Sequence, residues 1–560
     1  MSAMPSVQIE QAVLKVFGIP ELACLICTNI RKHDNVNLMR VCRRLFRDVL
    51  PSVWKEVDGI VPLISMIPGG GITNYESDPF PPFVVLRCPD SDNLDLSRFN
   101  IYAPYVKKLT LPSVLQVDEH ENLEKFIACS RSLNQGSGLL PNINSISLSF
   151  PRRRPVYIWG YCEEIAAESI SWIIAFLSPS LQKIVATPPG VTSSFQHPAW
   201  VDLNLYFKLL TCVSRTCPDL FSLDILPGDI SKSSFKDFTF ARRFSFTTNI
   251  LEMHQPLLDF KNLVTLIVSP LSLSTGFLHT IAKLPALKSF GIRGLEIDGQ
   301  DYCSDVELPA ESFPALKELE LNRLTWGTMI NLCSLTPLTD GLRALFITYP
   351  YGTLSLPESE NIVELDITIS HILSALVAHN SKLVTLDVRF YDPPPMMHIA
   401  IEPWGRLPLT RLRIGWREQS FGFGTLFHLL PLLSLLEELI FDDTSDTFHL
   451  GEFRKIVQIL PNLSYIRIPI SFHAWPSLSD DDFQPVSLSR PELCVESHFD
   501  LPEPRQHFAE IFALFLFGLG TGSKIVCKSA RLWYLDYIIG EPNEEAKDMI
   551  NQALARFWPY

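Results

Sequence analysis

A short apolar motif recurs along this chain, and it restricts the possible folds more than any other feature. The motif reads apolar-x-x-apolar-x-apolar and often follows a proline, as in residues 285–292 and 314–321. Its eight clearest copies start 29, 26, 20, 21, 26, 27 and 27 residues apart. They begin at Leu287, Leu316, Leu342, Ile362, Leu383, Leu409, Leu436 and Leu463. One such unit cannot bury its apolar face alone, so the pattern predicts a stack of repeats.

Looser copies of the motif precede these eight. They begin at Val106, Ile143, Leu181, Leu220 and Leu263. They lie 37, 38, 39 and 43 residues apart, so each would carry a long helix or an insertion. An ordinary α/β domain with leucine-rich strands is the alternative, because short apolar runs are ambiguous when taken one at a time.

Intervals of this length are typical of a leucine-rich repeat, a short strand followed by a returning helix or irregular segment. The chain resembles the leucine-rich-repeat family over residues 101–493, although the Asn or Cys that usually follows the last strand position is seen only at Asn322. The resemblance implies an α/β fold. We expect a right-handed solenoid with a curved parallel sheet and outer helices.

Composition narrows the possible functions. The chain has 560 residues, of which 47% are hydrophobic and 19% charged, so it can bury a large core. Its net charge of −14 argues against non-specific binding to nucleic acid or to anionic membranes. No apolar run approaches the roughly 18 residues of a membrane span, and the first residues lack the pattern of a secretory signal. The 12 cysteines follow no framework, which favours reduced thiols in a cytoplasmic or nuclear protein.

The segment before the repeats has helical spacing instead. Pro20 and Glu21 suit the start of a first helix, with apolar residues following at helical intervals. Asp34 or Asn35 can cap a second helix, which we expect to end at Pro51 before a third helix begins near Trp54. Six basic residues face one acid between residues 31 and 47, and such a patch favours an acidic partner.

These features resemble an F-box. The resemblance rests on the stretches IPELACLI and VCRRLFRDV and on Trp54. Together with the repeats behind it, the chain is similar to F-box/leucine-rich-repeat proteins of the fungal type. The family implies that this module binds the Skp adaptor of a cullin-based, SCF-type ubiquitin ligase. The matching positions are Pro20, Leu22, Leu25, Ile26, Leu38, Val41, Leu45 and Trp54.

Five segments follow from these patterns. They are an N-terminal tail (1–13), an F-box-like helical module (14–67), a Gly/Pro-rich linker (68–100), the repeat solenoid (101–493) and a C-terminal cap (494–560). A cap is expected because the last repeat would otherwise expose its apolar end.

The surface for a target protein is predicted on the concave strand face. Residues that flank the central apolar residue of each strand point to this face, and many of them are charged. The predicted target-binding residues are Glu318, Glu320, Glu364, Asp366, Asp387, Arg411 and Arg413. Acids dominate the first part of the series, so carboxylates of neighbouring repeats would repel one another, and a basic protein segment is the expected ligand. A merely solvated face is the alternative.

Chemistry-bearing motifs are missing from the sequence. It has no metalloprotease, hydrolase or phosphate-loop motif, and Cys24 and Cys27 lack a second pair at zinc spacing. We therefore predict no catalytic residue, cofactor or metal site. The expected function is a non-catalytic substrate receptor of the ubiquitin ligase. The alternative is an interaction scaffold in which the F-box-like segment serves only as an N-terminal cap.

Overall fold

The computed structural model divides into two compact units, Met1–Pro189 with His197–Leu271, and Gly190–Gln196 with Ser272–Tyr560. It describes residues 15–17, 19–77, 80–89, 94–112, 119–133, 138–149, 167–185, 201–228, 254–294, 302–304, 306–349, 371–379, 382–390, 402–416, 423–442, 447–470, 492–497, 501, 504–519, 524–529, 532–534, 537–540 and 544–557.

The first unit contains a parallel sheet. Its strands are β1 (Glu56–Asp58), β2 (Gly71–Ser77), β3 (Phe80–Arg87), β4 (Lys108–Pro112), β5 (Glu119–Glu121), β6 (Ser145–Ser149), β7 (Lys183–Val185), β8 (Val201–Asp202), β9 (Ser222–Asp224), β10 (Pro227–Gly228) and β11 (Thr265–Val268). Six of them pair in parallel in the order β1-β4-β6-β7-β9-β11. In four of the five neighbouring pairs, one or two other strands lie between the partners in the sequence, and the chain then returns to add the next strand to the sheet.

The second unit continues the same plan. Its strands are β12 (Ser289–Arg293), β13 (Glu318–Asn322), β14 (Ala344–Tyr349), β15 (Thr385–Phe390), β16 (Arg411–Trp416), β17 (Glu438–Asp442), β18 (Tyr465–Arg467), β19 (Glu492–Ser497), β20 (Lys524–Ser529), β21 (Leu532–Tyr534) and β22 (Tyr537–Gly540). From β12 to β20 every strand pairs in parallel with the next one along the chain. Strands β21 and β22 form an antiparallel pair.

The longer helices include three that precede the first strand and one that follows the last, and the others return the chain between strands of the parallel sheets. They are α1 (Pro20–Asn29), α2 (Lys32–Met39), α3 (Arg43–Trp54), α4 (Leu123–Leu133), α5 (Ala167–Ala175), α6 (Leu203–Thr216), α7 (Thr275–Ile281), α8 (Trp326–Ser334), α9 (residues 371–378), α10 (Phe423–Leu429), α11 (Leu450–Ile459), α12 (Arg505–Leu519) and α13 (Glu544–Phe557). Their buried residues follow helical spacing, as in α11, where Leu450, Phe453, Ile456 and Val457 are buried. Such a helix lays one apolar stripe on its unit's core.

The predicted motif residues form this core. Leu319 on β13 and Leu439 on β17 are fully buried, and Leu412 on β16 is 1% exposed. The register pairs equivalent residues of successive repeats, such as Leu412 with Leu439 and Leu439 with Ile466. Burying one such leucine contributes about 1.5–3 kcal/mol. The repeated strand, the parallel register and the returning helices confirm the predicted α/β leucine-rich-repeat fold.

One predicted repeat contributes no strand at its expected position in the sheet. The copy that starts at Ile362 was expected to form a strand between those of Leu345 and Leu386. These two leucines are instead direct neighbours, because β14 pairs with β15. No strand is inserted between β14 and β15, and residues 351–370 lie outside the described residues. The two shortest intervals of the series therefore belong to one longer repeat, which contains helix α9.

The segments predicted as linker and as cap both contain strands. Residues 68–100 contain the antiparallel pair β2–β3, and β3 pairs in parallel with β5. The segment that was expected to be a linker thus carries a small sheet. At the other end, β19 and β20 extend the parallel sheet beyond residue 493. In β19, buried residues alternate with more exposed ones, as expected of a strand that buries one face.

The helical module starts as predicted but divides differently. Helix α1 begins at Pro20 and has Glu21 in its first turn. Asn35 does not cap the second helix, because α2 already begins at Lys32 after Arg31. Residues 40–42 separate α2 from α3. There the Cys42 Sγ atom accepts a hydrogen bond from the Leu45 backbone N–H in the first turn of α3. The segment that was expected to form the second helix is thus divided between α2 and α3. Pro51, the expected end of that helix, lies inside α3, which continues to Trp54.

Candidate interaction surfaces

The three helices of the N-terminal module have a small core of their own. Its buried residues are Phe17, Ala23, Cys27, Leu45, Val49 and Val53. Asn35 on α2 is also buried, and its side-chain amide donates a hydrogen bond of 2.8 Å to the Cys27 carbonyl oxygen on α1. This bond connects the two helices. A cluster of this size stabilises the module only weakly by itself.

A second set of apolar residues in the same module is exposed to solvent. Leu22 is 39% exposed, Leu25 59% and Val41 69%, and Ile19 before α1 is 47% exposed. Leu22 and Leu25 lie three residues apart on α1, which places them on one side of that helix. We call Ile19, Leu22, Leu25 and Val41 the exposed apolar set. Sequence reasoning missed Ile19, although its position next to Pro20 could have suggested it.

The other predicted adaptor-binding residues are partly or fully packed. Leu45 is 2% exposed and belongs to the module's core, while Ile26, Leu38 and Trp54 are half-buried against that core. The Trp54 ring lies 4.8 Å from the ring of Tyr102, in the repeat that follows. Pro20 forms the first turn of α1. The structure thus separates the predicted set into an exposed part and a part that supports the helices.

The strand face of the second unit contains part of the predicted target-binding set. Glu318 is exposed on β13, and its register neighbours are Ser289 and Ala344. Glu320 lies between Gly291 and Phe346, and the Arg293 Nε atom donates to its carboxylate at 3.1 Å. Glu364 and Asp366 lie outside the described residues.

Asp387 is the clearest departure from the expected row of repelling carboxylates. Its side chain is 8% exposed and accepts two hydrogen bonds from the Arg389 guanidinium, at 3.0 and 2.7 Å. Its register neighbours are Phe346 and Arg413, and an Arg413 nitrogen lies 3.8 Å from the carboxylate. The predicted acids that the structure describes therefore do not adjoin one another across strands. Arginines lie beside Glu320 and Asp387 instead, and the expected repulsion between neighbouring strands is wrong for this part of the face.

Further ion pairs cross the later strands. Arg411 on β16 lies 3.1 Å from Glu438 on β17, and Arg467 on β18 lies 3.6 Å from Glu496 on β19. The Tyr465 hydroxyl donates to the same Glu496, and burial together with this hydrogen bond raises the Tyr465 pKa above its usual value. These pairs fix the relative positions of long side chains on four strands.

Sequence reasoning missed Arg293, Arg389 and Glu496 as members of this face. A usable signal was present, because each lies two residues after another outward-facing strand position. Side chains at i and i+2 of a strand share a face. The prediction considered only the two positions that flank the central apolar residue, and so it stopped one outward position short of Arg293 and Arg389. Glu496 does flank a central apolar residue, Val495, and was missed because strand β19 was not predicted.

No alternative chemistry is visible among the described side chains. Within the described ranges, no group of three or more His, Cys, Asp or Glu residues could hold a metal ion. Burial raises the pKa of the Cys88, Cys217, Cys303 and Cys333 thiols to about 12. Burial likewise raises the pKa of Cys27 in the C-x-x-C pair. These thiols are therefore protonated, weak nucleophiles near neutral pH. A search of the described helices also found none that could span a membrane.

Comparison with known proteins adds little to this picture. No family model matches the sequence, and no curated protein matches it. Fifty-six chains of solved structures match. One is the crystal structure of a TLR13–ssRNA13 complex, with a TM-score of 0.22 and 12% identity, covering 78% of this chain and 68% of that chain. At this TM-score the likeness carries no argument, and the fold assignment rests on strand register and buried motif residues.

Proposed function

We propose that this protein is a non-catalytic substrate receptor of an SCF-type ubiquitin ligase. In this proposal, the N-terminal module binds the Skp adaptor and the strand face holds a target protein. Other subunits of the ligase transfer ubiquitin. The receptor acts by proximity, since holding the target raises the effective concentration of its lysines near the transfer site.

The exposed apolar set carries the adaptor half of the proposal. A helical module that kept its apolar residues for its own chain would bury Leu25 and Val41, yet these two are more than half exposed. Single exposed apolar residues are ordinary, but four on one small module make a site for a protein partner. Arg40, just after α2, and Arg43 and Arg47 on α3 are exposed and would guide an acidic partner.

The repeat architecture supports the target half. Parallel repeats present a long, regular strand surface, which is the part of such proteins that binds other molecules. The face described here has arginines, carboxylates and half-buried apolar residues such as Phe346 and Ile440. Arginine and aromatic residues are enriched where protein interfaces gain most of their energy.

Charged substitutions in the exposed apolar set provide the test. We expect Leu25→Asp and Val41→Asp each to weaken capture of the purified Skp adaptor by roughly 10-fold or more, because a buried carboxylate would have no partner at the interface. Leu258→Asp is the matched control, since Leu258 is 39% exposed and lies outside the module. Capture is measured by pull-down with the full chain, and circular dichroism checks that each variant is folded.

Equal capture by all variants, or no capture by the unmodified chain, would contradict the proposal. The second result would favour the alternative function, in which the module only caps the repeats of an interaction scaffold. One observation favours that alternative. Leu45 is buried within the chain, and Trp54 packs on Tyr102 of the following repeat, so two predicted adaptor residues already have intramolecular contacts.

A further inference from the structure

Strand β20 forms one end of the parallel sheet in the second unit. It pairs with β19 on one side, and among the strands that the structure describes no other strand pairs with it. Successive residues of a strand direct their backbone N–H and C=O groups to opposite sides, so every second residue of β20 faces away from β19. An edge of this kind can pair with a strand of another chain.

A side chain of helix α13 lies on this edge. The Cys527 backbone N–H donates to the Asn551 Oδ1 atom at 2.9 Å, and the Asn551 Nδ2 atom donates to the Cys527 carbonyl oxygen, also at 2.9 Å. Two residues of antiparallel strands exchange the same pair of hydrogen bonds. The Asn551 side-chain amide thus takes the place of a strand residue that would otherwise pair with Cys527.

Helix α13 is held in this position by an apolar stripe and by surface ion pairs. Its buried residues follow helical spacing and are Ala546, Ile550, Ala553 and Leu554. Two ion pairs join it to α12, Arg505 with Glu545 and Arg556 with Glu510. These side chains are exposed, so the two pairs stabilise the contact only weakly. Displacing α13 would leave the hydrogen bonds between β19 and β20 in place, because they do not involve the helix.

The backbone groups on this edge are arranged symmetrically about Cys527. Ile525 and Ser529 lie two residues to either side of it, so their N–H and C=O groups face the same way. A second copy related by a two-fold axis would place Cys527 opposite the same residue, and Ile525 opposite Ser529. In this register Lys528 faces Val526 of the second copy, so the lysine of one copy does not oppose that of the other.

We propose that the edge of β20 is a self-association surface that Asn551 keeps closed. When α13 is displaced, a second copy of this chain adds its own β20 in antiparallel orientation, and one sheet continues across both molecules. The contact is isologous, so it closes after two copies instead of growing into a fibre. The inference does not depend on the proposed function, because no residue of the N-terminal module takes part.

The self-association of an Asn551 variant tests this inference. Asn551→Ala removes both hydrogen bonds to Cys527 and keeps the helix, because alanine is the best helix former. We expect the dissociation constant for dimer formation to fall roughly 10-fold or more relative to the unmodified chain, which is the effect of losing two hydrogen bonds of ordinary net strength. Sedimentation equilibrium of the full chain measures this constant, and circular dichroism checks that the variant is folded.

A second variant keeps the test valid if Asn551→Ala unfolds. Asn551→Asp retains the acceptor for the Cys527 N–H but loses the bond donated to the Cys527 carbonyl oxygen, so its dissociation constant should fall by a smaller factor. Gln552→Ala is the matched control, because Gln552 is the next residue of α13 and is exposed. It should leave the dissociation constant unchanged.

A proline in β20 locates the contact. Ser529→Pro removes an N–H from the outer edge, a position at which edge strands accept proline. Combined with Asn551→Ala, it should return the dissociation constant to the value of the unmodified chain. An unchanged constant in both Asn551 variants, an equal fall in Gln552→Ala, or an association that Ser529→Pro does not weaken would overturn the inference.

Discussion

Replacing Leu439 with alanine is expected to lower the free energy of unfolding by about 2–5 kcal/mol. Leu439 is fully buried on β17, and its register neighbours Leu412 and Ile466 are buried as well. Alanine would leave a cavity between three repeats, and close-packed neighbours refill such cavities only in part. Urea-induced unfolding followed by circular dichroism measures the loss.

Leu435→Ala is the matched control for this prediction. Leu435 lies in the same repeat but is 53% exposed, so its truncation should cost well under about 1 kcal/mol. Similar losses in the two variants would mean that Leu439 is not a core residue. The packing of motif residues against one another around β17 would then be wrong.

Phe515→Ala is expected to cost about 3–5 kcal/mol. Phe515 on α12 is fully buried, and its ring lies 6.3 Å from Phe453 on α11 and 6.2 Å from Phe512. Helix α12 thus covers apolar residues of the preceding repeat. Removing the ring should loosen this end of the repeats, which would show as a lower unfolding midpoint.

The neighbouring residue supplies the control. Leu514 is 43% exposed on the same helix, and Leu514→Ala should leave the midpoint nearly unchanged. A small effect of Phe515→Ala would contradict the packing of α12 on α11. It would also remove the support for a C-terminal segment that closes the repeats.

The strands were predictable because their signal is local. Leu409, Leu412 and Ile414 repeat the spacing of Leu436, Leu439 and Phe441, and both sets are buried on paired strands. The same local signal failed at residue 362, because spacing does not tell which segments pair. Strands β1, β19 and β20 were missed for a related reason. The first has a single buried residue, Val57. In the other two, polar residues take the first and last motif positions: Glu492 and Ser497 in β19, and Lys524 and Ser529 in β20.

The candidate surfaces were less predictable than the strands. The F-box resemblance implied that Leu25 and Leu45 belong to one binding set, yet tertiary packing left the first exposed and buried the second. The charge of the strand face depended on pairs between strands, such as Asp387 with Arg413, and on Arg389 two residues further along. The residues that flank the central apolar positions suggested repelling acids, because the sequence alone does not give the strand register that brings arginines beside them.

Hydrogen exchange of the full chain, with and without the Skp adaptor, tests most directly whether the N-terminal module is the adaptor-binding part. The account predicts that the adaptor slows exchange at backbone amides of α1 and α2, around the exposed Leu25 and Val41, and leaves β16 to β18 unchanged. Unchanged exchange in α1 and α2 at saturating adaptor, or protection confined to the strands, would contradict it.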